Sequence, residues 1–127
     1  MMKTVSTEKA PQAIGPYSQA VRVYDFLFLS GQIPIDPETS ELVADDIALQ
    51  TRQVMKNIQA ILEKEGLTLD HVVKTTIFLQ DISQFSIVNE EYSKFLGSHR
   101  PARSTIEVSR LPKNVLIEIE AIAYVVS

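Results

Sequence analysis

The sequence predicts a layered α+β or α/β fold, with about five strands and two helices that both pack on one sheet face. Three observations predict it. Residues 45–65 and 83–96 each carry an apolar stripe at helical spacing. The segments around them alternate with a period of two. In the run "LIEIEAIAYV" (116–125), Ile117, Ile119, Ala121, Ala123 and Val125 make one wholly apolar face, the natural seat for the helices.

Taken in order, "SQAVRVYDFLFLSGQ" reads as strands over 18–23 and 26–30, joined at Tyr24-Asp25 and rich in β-branched and aromatic residues. "GQIPIDPETSEL" is a loop, with its prolines and polar cluster. In the first helix Ile47, Thr51, Val54, Ile58, Ile61 and Leu62 share one stripe. Asp45 or Asp46 can cap its start, and Gly66 suits the position just past its end. A strand follows over 72–80. Strict alternation puts Val73, Thr75, Ile77 and Leu79 on one face and Val72, Lys74, Thr76, Phe78 and Gln80 on a mixed one. In the second helix Phe85, Val88, Tyr92, Phe95 and Leu96 form the stripe, and Gly97 ends it. Strands over 103–108 and 115–125 complete the order.

The other face of the last strand is Leu116, Glu118, Glu120, Ile122 and Tyr124. It is too apolar for open solvent and too charged for a plain core. With no helix left to cover it, a second copy of the chain is the expected cover.

Composition narrows the function. The chain has 127 residues, 45% hydrophobic and 22% charged, which fits one soluble domain, 1–127. Net charge is −4 and the 12 lysines and arginines are scattered, so neither nucleic acid nor an anionic membrane is an expected partner. The absence of cysteine removes disulfides, thiolate metal sites and thiol nucleophiles together. No signal segment or membrane span is visible, and the expected location is cytoplasmic. There is no GxGxxG, no GxxxxGK[ST] and no GxSxG. His71 and His99 stand apart and read as surface residues, which leaves no candidate metal site.

The chemistry-bearing candidates are few. Glu118 and Glu120 lie on one strand face, roughly 6–7 Å apart. They read either as inter-subunit salt bridges and edge gatekeepers, or as a general base and water-positioning carboxylate. Arg103, in "RPARS", starts a strand and can grip a carboxylate with two parallel hydrogen bonds. Asn89 sits about 40° around the second helix from Phe85, on the rim of the stripe. Tyr17 and Ser30 are loop-edge residues that say little alone.

Four stretches together, "AIGPYSQA" (13–20), "LSGQIPIDP" (29–37), "VNEEYSKFL" (88–96) and "RPARSTIEVSRLPKNVLIEIEAIA" (100–123), resemble the RidA family, the YjgF-type reactive-intermediate deaminases. The resemblance spans essentially the whole chain, and its last stretch is the family's specific signature. It implies an α+β, chorismate-mutase-like fold with one mixed sheet, and a homotrimer with clefts between neighbouring subunits. It also implies hydrolysis of 2-imino acids, such as 2-iminobutanoate and 2-iminopropanoate, or their enamine tautomers, to 2-oxo acids and ammonia. No metal or cofactor is implied. Position by position, Arg103 resembles the family arginine that binds the substrate carboxylate, and Glu118 the glutamate that holds or activates water. Tyr17, Ser30, Gly31 and Asn89 resemble other cleft residues. Thr105 stands where the family often has cysteine, with an expected contribution largely through its backbone. Glu120 matches a family glutamate without an assigned role. The alternatives are a non-catalytic regulatory trimer that binds 2-oxo acids and a ribonuclease or translation inhibitor. The negative charge and the lack of a histidine pair speak against the latter.

Overall fold

The structure, a computed structural model, describes residues 1–125. Ten elements follow one another: β1 (Met2–Val5), β2 (Ala20–Val23), β3 (Phe26–Gln32), β4 (Ile35–Asp36), β5 (Glu41–Leu42), α1 (Ile47–Lys64), β6 (Val72–Leu79), α2 (Phe85–Leu96), β7 (Ala102–Glu107) and β8 (Ile117–Tyr124). Six strands form one sheet in the order β1-β2-β3-β8-β6-β7, while β4 and β5 make a separate small ribbon. Among the described residues only β6 and β7 run parallel, connected through α2; the other pairs are antiparallel. This is the expected α+β arrangement, a mixed sheet with both helices on one side. Among the described residues no helix is long and apolar enough to cross a membrane.

The helices form where the stripes predict. Asp46 caps α1, its carboxylate accepting from the Leu49 amide at 3.0 Å, a contact of the kind worth about 1 kcal/mol. Gly66 takes φ +73°, the left-handed conformation that ends the helix without a Cβ penalty. Every residue of the α1 stripe is buried. The helices are tied by Arg52, whose Nε donates to the buried Glu91 at 2.8 Å. That hydrogen bond is the chief reason the Glu91 carboxyl titrates below its ordinary range. The core lies between the helices and the buried side of the sheet: Leu27 and Leu29 from β3, Ile77 and Leu79 from β6, and Ile117 and Ile119 from β8.

Three local features differ from the sequence expectation. β1 is an added edge strand; only Val5 of its four residues is buried, so it carries almost no hydrophobic pattern. The segment expected to be loop contains the β4–β5 ribbon, two residues a side. The third difference is a correction to the face of β6. Val72 opposite Ala123 is followed by Lys74 opposite Ile122, so Val73 is an extra, bulged residue. Val72 therefore turns into the core at 1% exposure and Val73 faces out at 43%. Strict alternation had assigned them the other way round.

Among the described residues no helix covers the second sheet face. Phe26, Phe28 and Tyr124 stand on it, Phe26 edge-on to Tyr124 with ring centres 5.3 Å apart and tilted against Phe28 at 6.3 Å. They are 40–45% exposed, and Ile106 at the far side of the sheet is as open. The two sides of one strand should respond differently to change. Ile77→Ala is expected to cost about 2–5 kcal/mol, whereas Val73→Thr should stay within about 0.5 kcal/mol. Urea unfolding of both variants checks the bulge assignment.

Candidate functional site

The predicted site residues other than Thr105 fall into two groups at two cavities. The first sits where β7 meets α2. In the parallel register Arg103 pairs with Thr75, whose buried hydroxyl shares a 2.7 Å hydrogen bond with the Tyr92 hydroxyl of α2. Arg103 therefore lies on the helix side of the sheet. Because β7 is an edge strand, its guanidinium reaches over α2 while staying in solvent. One terminal nitrogen donates to Asn89 Oδ1 at 2.5 Å. The guanidinium carbon lies 5.1 Å from the Phe85 ring centre and 5.4 Å from that of Tyr92. Burial pushes the Tyr92 phenol up, opposed by the Thr75 hydrogen bond and the Arg103 charge. Among the described residues Arg103 meets no carboxylate within ion-pair distance. A cavity of about 650 Å³ opens here, its lining including Ser86, Asn89, Glu90, Tyr92, Arg100 and Arg103.

The second cavity, about 660 Å³, lies at the other side of the sheet. Tyr17, Ser30, Gly31, Glu118 and Glu120 line it. Its floor is a second irregularity. Leu29 pairs with Ala121, but the next pair is Gln32 with Ile119, so Ser30 and Gly31 together face the single residue Glu120. The bulge brings the Gly31 backbone against Glu118. A Cβ on Gly31 would lie 2.8 Å from Glu118 Cδ and 3.1 Å from Cγ, so any larger residue there would push the Glu118 side chain out of its present position. Ser30 Oγ donates to the Ser18 carbonyl at 2.6 Å, tying the bulge to the segment that carries Tyr17. Burial, and secondarily the charge of Glu120, hold the Glu118 carboxyl above its usual range.

The two groups cannot meet within one chain. Glu118 pairs with Phe78 and lies between the buried Ile117 and Ile119, so it points away from the helices. Arg103 points toward them. Glu118 aligns through Phe78 with Ile106, two strands across and three residues along from Arg103, a Cα separation of roughly 14 Å with the sheet between the side chains. Thr105 lines neither cavity. It pairs with Ile77 on the helix side, and its hydroxyl is buried without a hydrogen-bond partner among the described residues. The histidines are half-buried structural groups, not the surface residues expected. His71 Nδ1 accepts from the Thr68 amide, and His99 Nε2 hydrogen-bonds the Val72 carbonyl at 2.7 Å.

Sequence reasoning passed over several residues at these cavities. Gln19 is buried beside the second one. Its amide oxygen accepts from the Thr7 amide at 2.6 Å, and its nitrogen donates to the Pro11 carbonyl at 2.7 Å. Asn57 of α1 donates to the carbonyls of Ile33 and Ile35 and fastens the opposite wall. Lys113 lines the same cavity from a turn in which it and Asn114 both take left-handed φ, 55° and 57°. A single amide or lysine carries no pattern in sequence. Phe85 and Tyr92 were seen, but as part of the apolar stripe.

The sequence profile of the family described as Endoribonuclease L-PSP matches residues 7–125. The chain belongs to the RidA (YjgF-type) family. Among RidA-family relatives, a RutC family protein of Pyrococcus abyssi is 57% identical over 122 residues, 96% of each chain. The 2-iminobutanoate/2-iminopropanoate deaminase of Salmonella typhimurium is 51% identical over 126 residues, covering 97% of this chain and 98% of that protein. The crystal structure of E. coli TdcF with bound serine superposes with a TM-score of 0.92 at 43% identity, over 96% of this chain and 98% of that one.

The raised Glu118 titration has a consequence for stability. A carboxyl whose folded pKa lies above its unfolded value, about 4.3, costs stability once the unfolded chain ionises. The cost grows up to the folded pKa and then stays constant. Glu118→Gln is therefore expected to raise the melting temperature at pH 7, the gain fading below about pH 4. Calorimetry across pH 3–8 checks this, and a melting temperature lowered at pH 7 would remove the ionisation cost assigned to Glu118.

Proposed function

We propose that this chain is a deaminase that hydrolyses reactive 2-imino acids, or their enamine tautomers, to 2-oxo acids and ammonia. We further propose that it works as a homotrimer whose sites are shared by neighbouring subunits. The observation that carries the reading is the division of the site. A carboxylate-binding group without a carboxylate, Arg103 with Asn89, lies on one sheet face. A partly desolvated carboxylate lies on the other. Among the described residues neither Arg103 nor Glu118 has a partner of opposite charge within ion-pair distance, and the exposed aromatic and aliphatic side chains of the open face supply a surface for assembly. The 51% identity to a named deaminase supports the reaction class. The serine bound to TdcF, an α-carboxylate ligand, supports recognition through a carboxylate.

In this mechanism Arg103 takes the substrate carboxylate and sets the adjacent C=N carbon in a fixed orientation. Glu118 from the neighbouring subunit holds a water and accepts its proton as the oxygen adds to that carbon. A raised pKa suits this role, because the carboxyl can hold the proton and return it to nitrogen. The tetrahedral carbinolamine then collapses to the 2-oxo acid and ammonia. Gly31 gives Glu118 its place, and Tyr17 and Ser30 wall the cavity. The absence of cysteine suits a reducing compartment, and we take the cytoplasm as the site of action.

The test generates 2-iminobutanoate in situ from threonine with a dehydratase and follows 2-oxobutanoate. The protein is expected to accelerate its appearance in proportion to dose; no acceleration at any dose would sink the reading. Arg103→Ala is expected to lower kcat/KM by about 100-fold or more with the fold intact. Subunit sharing has its own signature. Arg103→Ala and Glu118→Ala chains, each inactive, should regain about a quarter of wild-type activity when unfolded together and refolded as a mixture, since half of the arginines meet half of the glutamates across a heterologous interface. A mixture as inactive as its components would exclude a shared site.

A further inference from the structure

We propose that Phe85 and Tyr92 are positioning residues, an aromatic clamp that fixes the plane of the Arg103 guanidinium and aims its free N–H groups at the substrate carboxylate. The inference rests on the reading that Arg103 binds that carboxylate, and it adds residues which that reading does not use.

The geometry carries it. Phe85, Asn89 and Tyr92 are spaced by four and then three residues on α2, so all three project from one helix face. Arg103 lies over that face. Its hydrogen bond to Asn89 fixes one N–H and leaves the planar group free to turn about that bond. Two rings with centres at 5.1 and 5.4 Å remove this freedom, since both lie within the distance at which a guanidinium is held over a π face. The clamp is itself anchored. Tyr92 is buried at 5% exposure, and its hydroxyl is bonded to Thr75, the β6 residue directly beside Arg103 in the sheet. Strand register and ring therefore hold the arginine from both ends. Core packing alone needs the two rings but not an arginine stretched across them, nor a hydroxyl pair locking one ring under it. With no carboxylate within ion-pair distance among the described residues, the held guanidinium leaves its outward donors for a ligand.

Two measurements test the clamp. In the imine assay Phe85→Leu is expected to raise KM about three- to tenfold with kcat within about twofold. Phe85→Tyr should restore KM, because it restores the ring. Unchanged KM in Phe85→Leu, or a loss that Phe85→Tyr does not repair, would overturn the clamp. Independently of turnover, the side-chain protons of Arg103 should resonate upfield in the wild type through ring currents, and Phe85→Leu should move them toward random-coil positions. A wild-type spectrum without that shift overturns the clamp whatever the activity. A shift that is present and lost on mutation, in a protein without imine turnover, upholds the clamp and overturns only the reaction assigned to it.

Discussion

The alternation of β8 is the constraint on which the rest of this protein depends. The strand lies between β3 and β6, near the middle of the sheet. Ile117, Ile119, Ala121 and Ala123 fill the space under α1 and α2 and are almost wholly inaccessible. Burying this apolar side is the main gain of the fold. Once it is fixed, Glu118 and Glu120 have only one place to go. A one-residue slip would drive two carboxylates into the core, at a cost no local contact could offset. The position of Glu118 is thus a by-product of hydrophobic burial, and it is as secure as the core itself.

Much of this was legible in the sequence because it is periodic. Both helices, the main strands and the uncovered second face follow from spacing alone, and Asp46 and Gly66 could be named as helix ends from their chemistry. What escaped reading breaks the period. The bulge at Val73 inverted two assignments, because alternation cannot register an inserted residue. β1 has three exposed residues of four and exists because β2 offers it an open edge. The β4–β5 ribbon is too short to leave a pattern.

The candidate site was legible as a set of residues but not as an arrangement. Arg103, Asn89, Glu118, Tyr17, Ser30 and Gly31 were singled out one by one, and resemblance to the RidA family drew them together. Their separation onto opposite faces came only from the register, which ties Arg103 to Thr75 and Glu118 to Phe78. The buried amides were invisible for a different reason. Gln19, Gln50 and Asn57 are each almost inaccessible, and each bonds backbone groups of irregular segments. They do for loops what ladder hydrogen bonds do for strands. The second cavity owes its fixed walls to Gln19 and Asn57.

The Ser30–Gly31 bulge has a meaning for how this chain can change. Leu29 and Gln32 are both buried although three positions apart, an odd step that a regular strand would place on opposite faces. The extra residue therefore acts as a parity shift, with one reading frame of in-and-out before it and the other after it. Point substitutions in β3 leave that frame alone. Loss or gain of one residue would reverse it for everything downstream as far as the next turn, closing the recess for Glu118 and turning Gln32 to the wrong side together. Insertions and deletions in this segment are barred by geometry, even where most individual side chains could be exchanged.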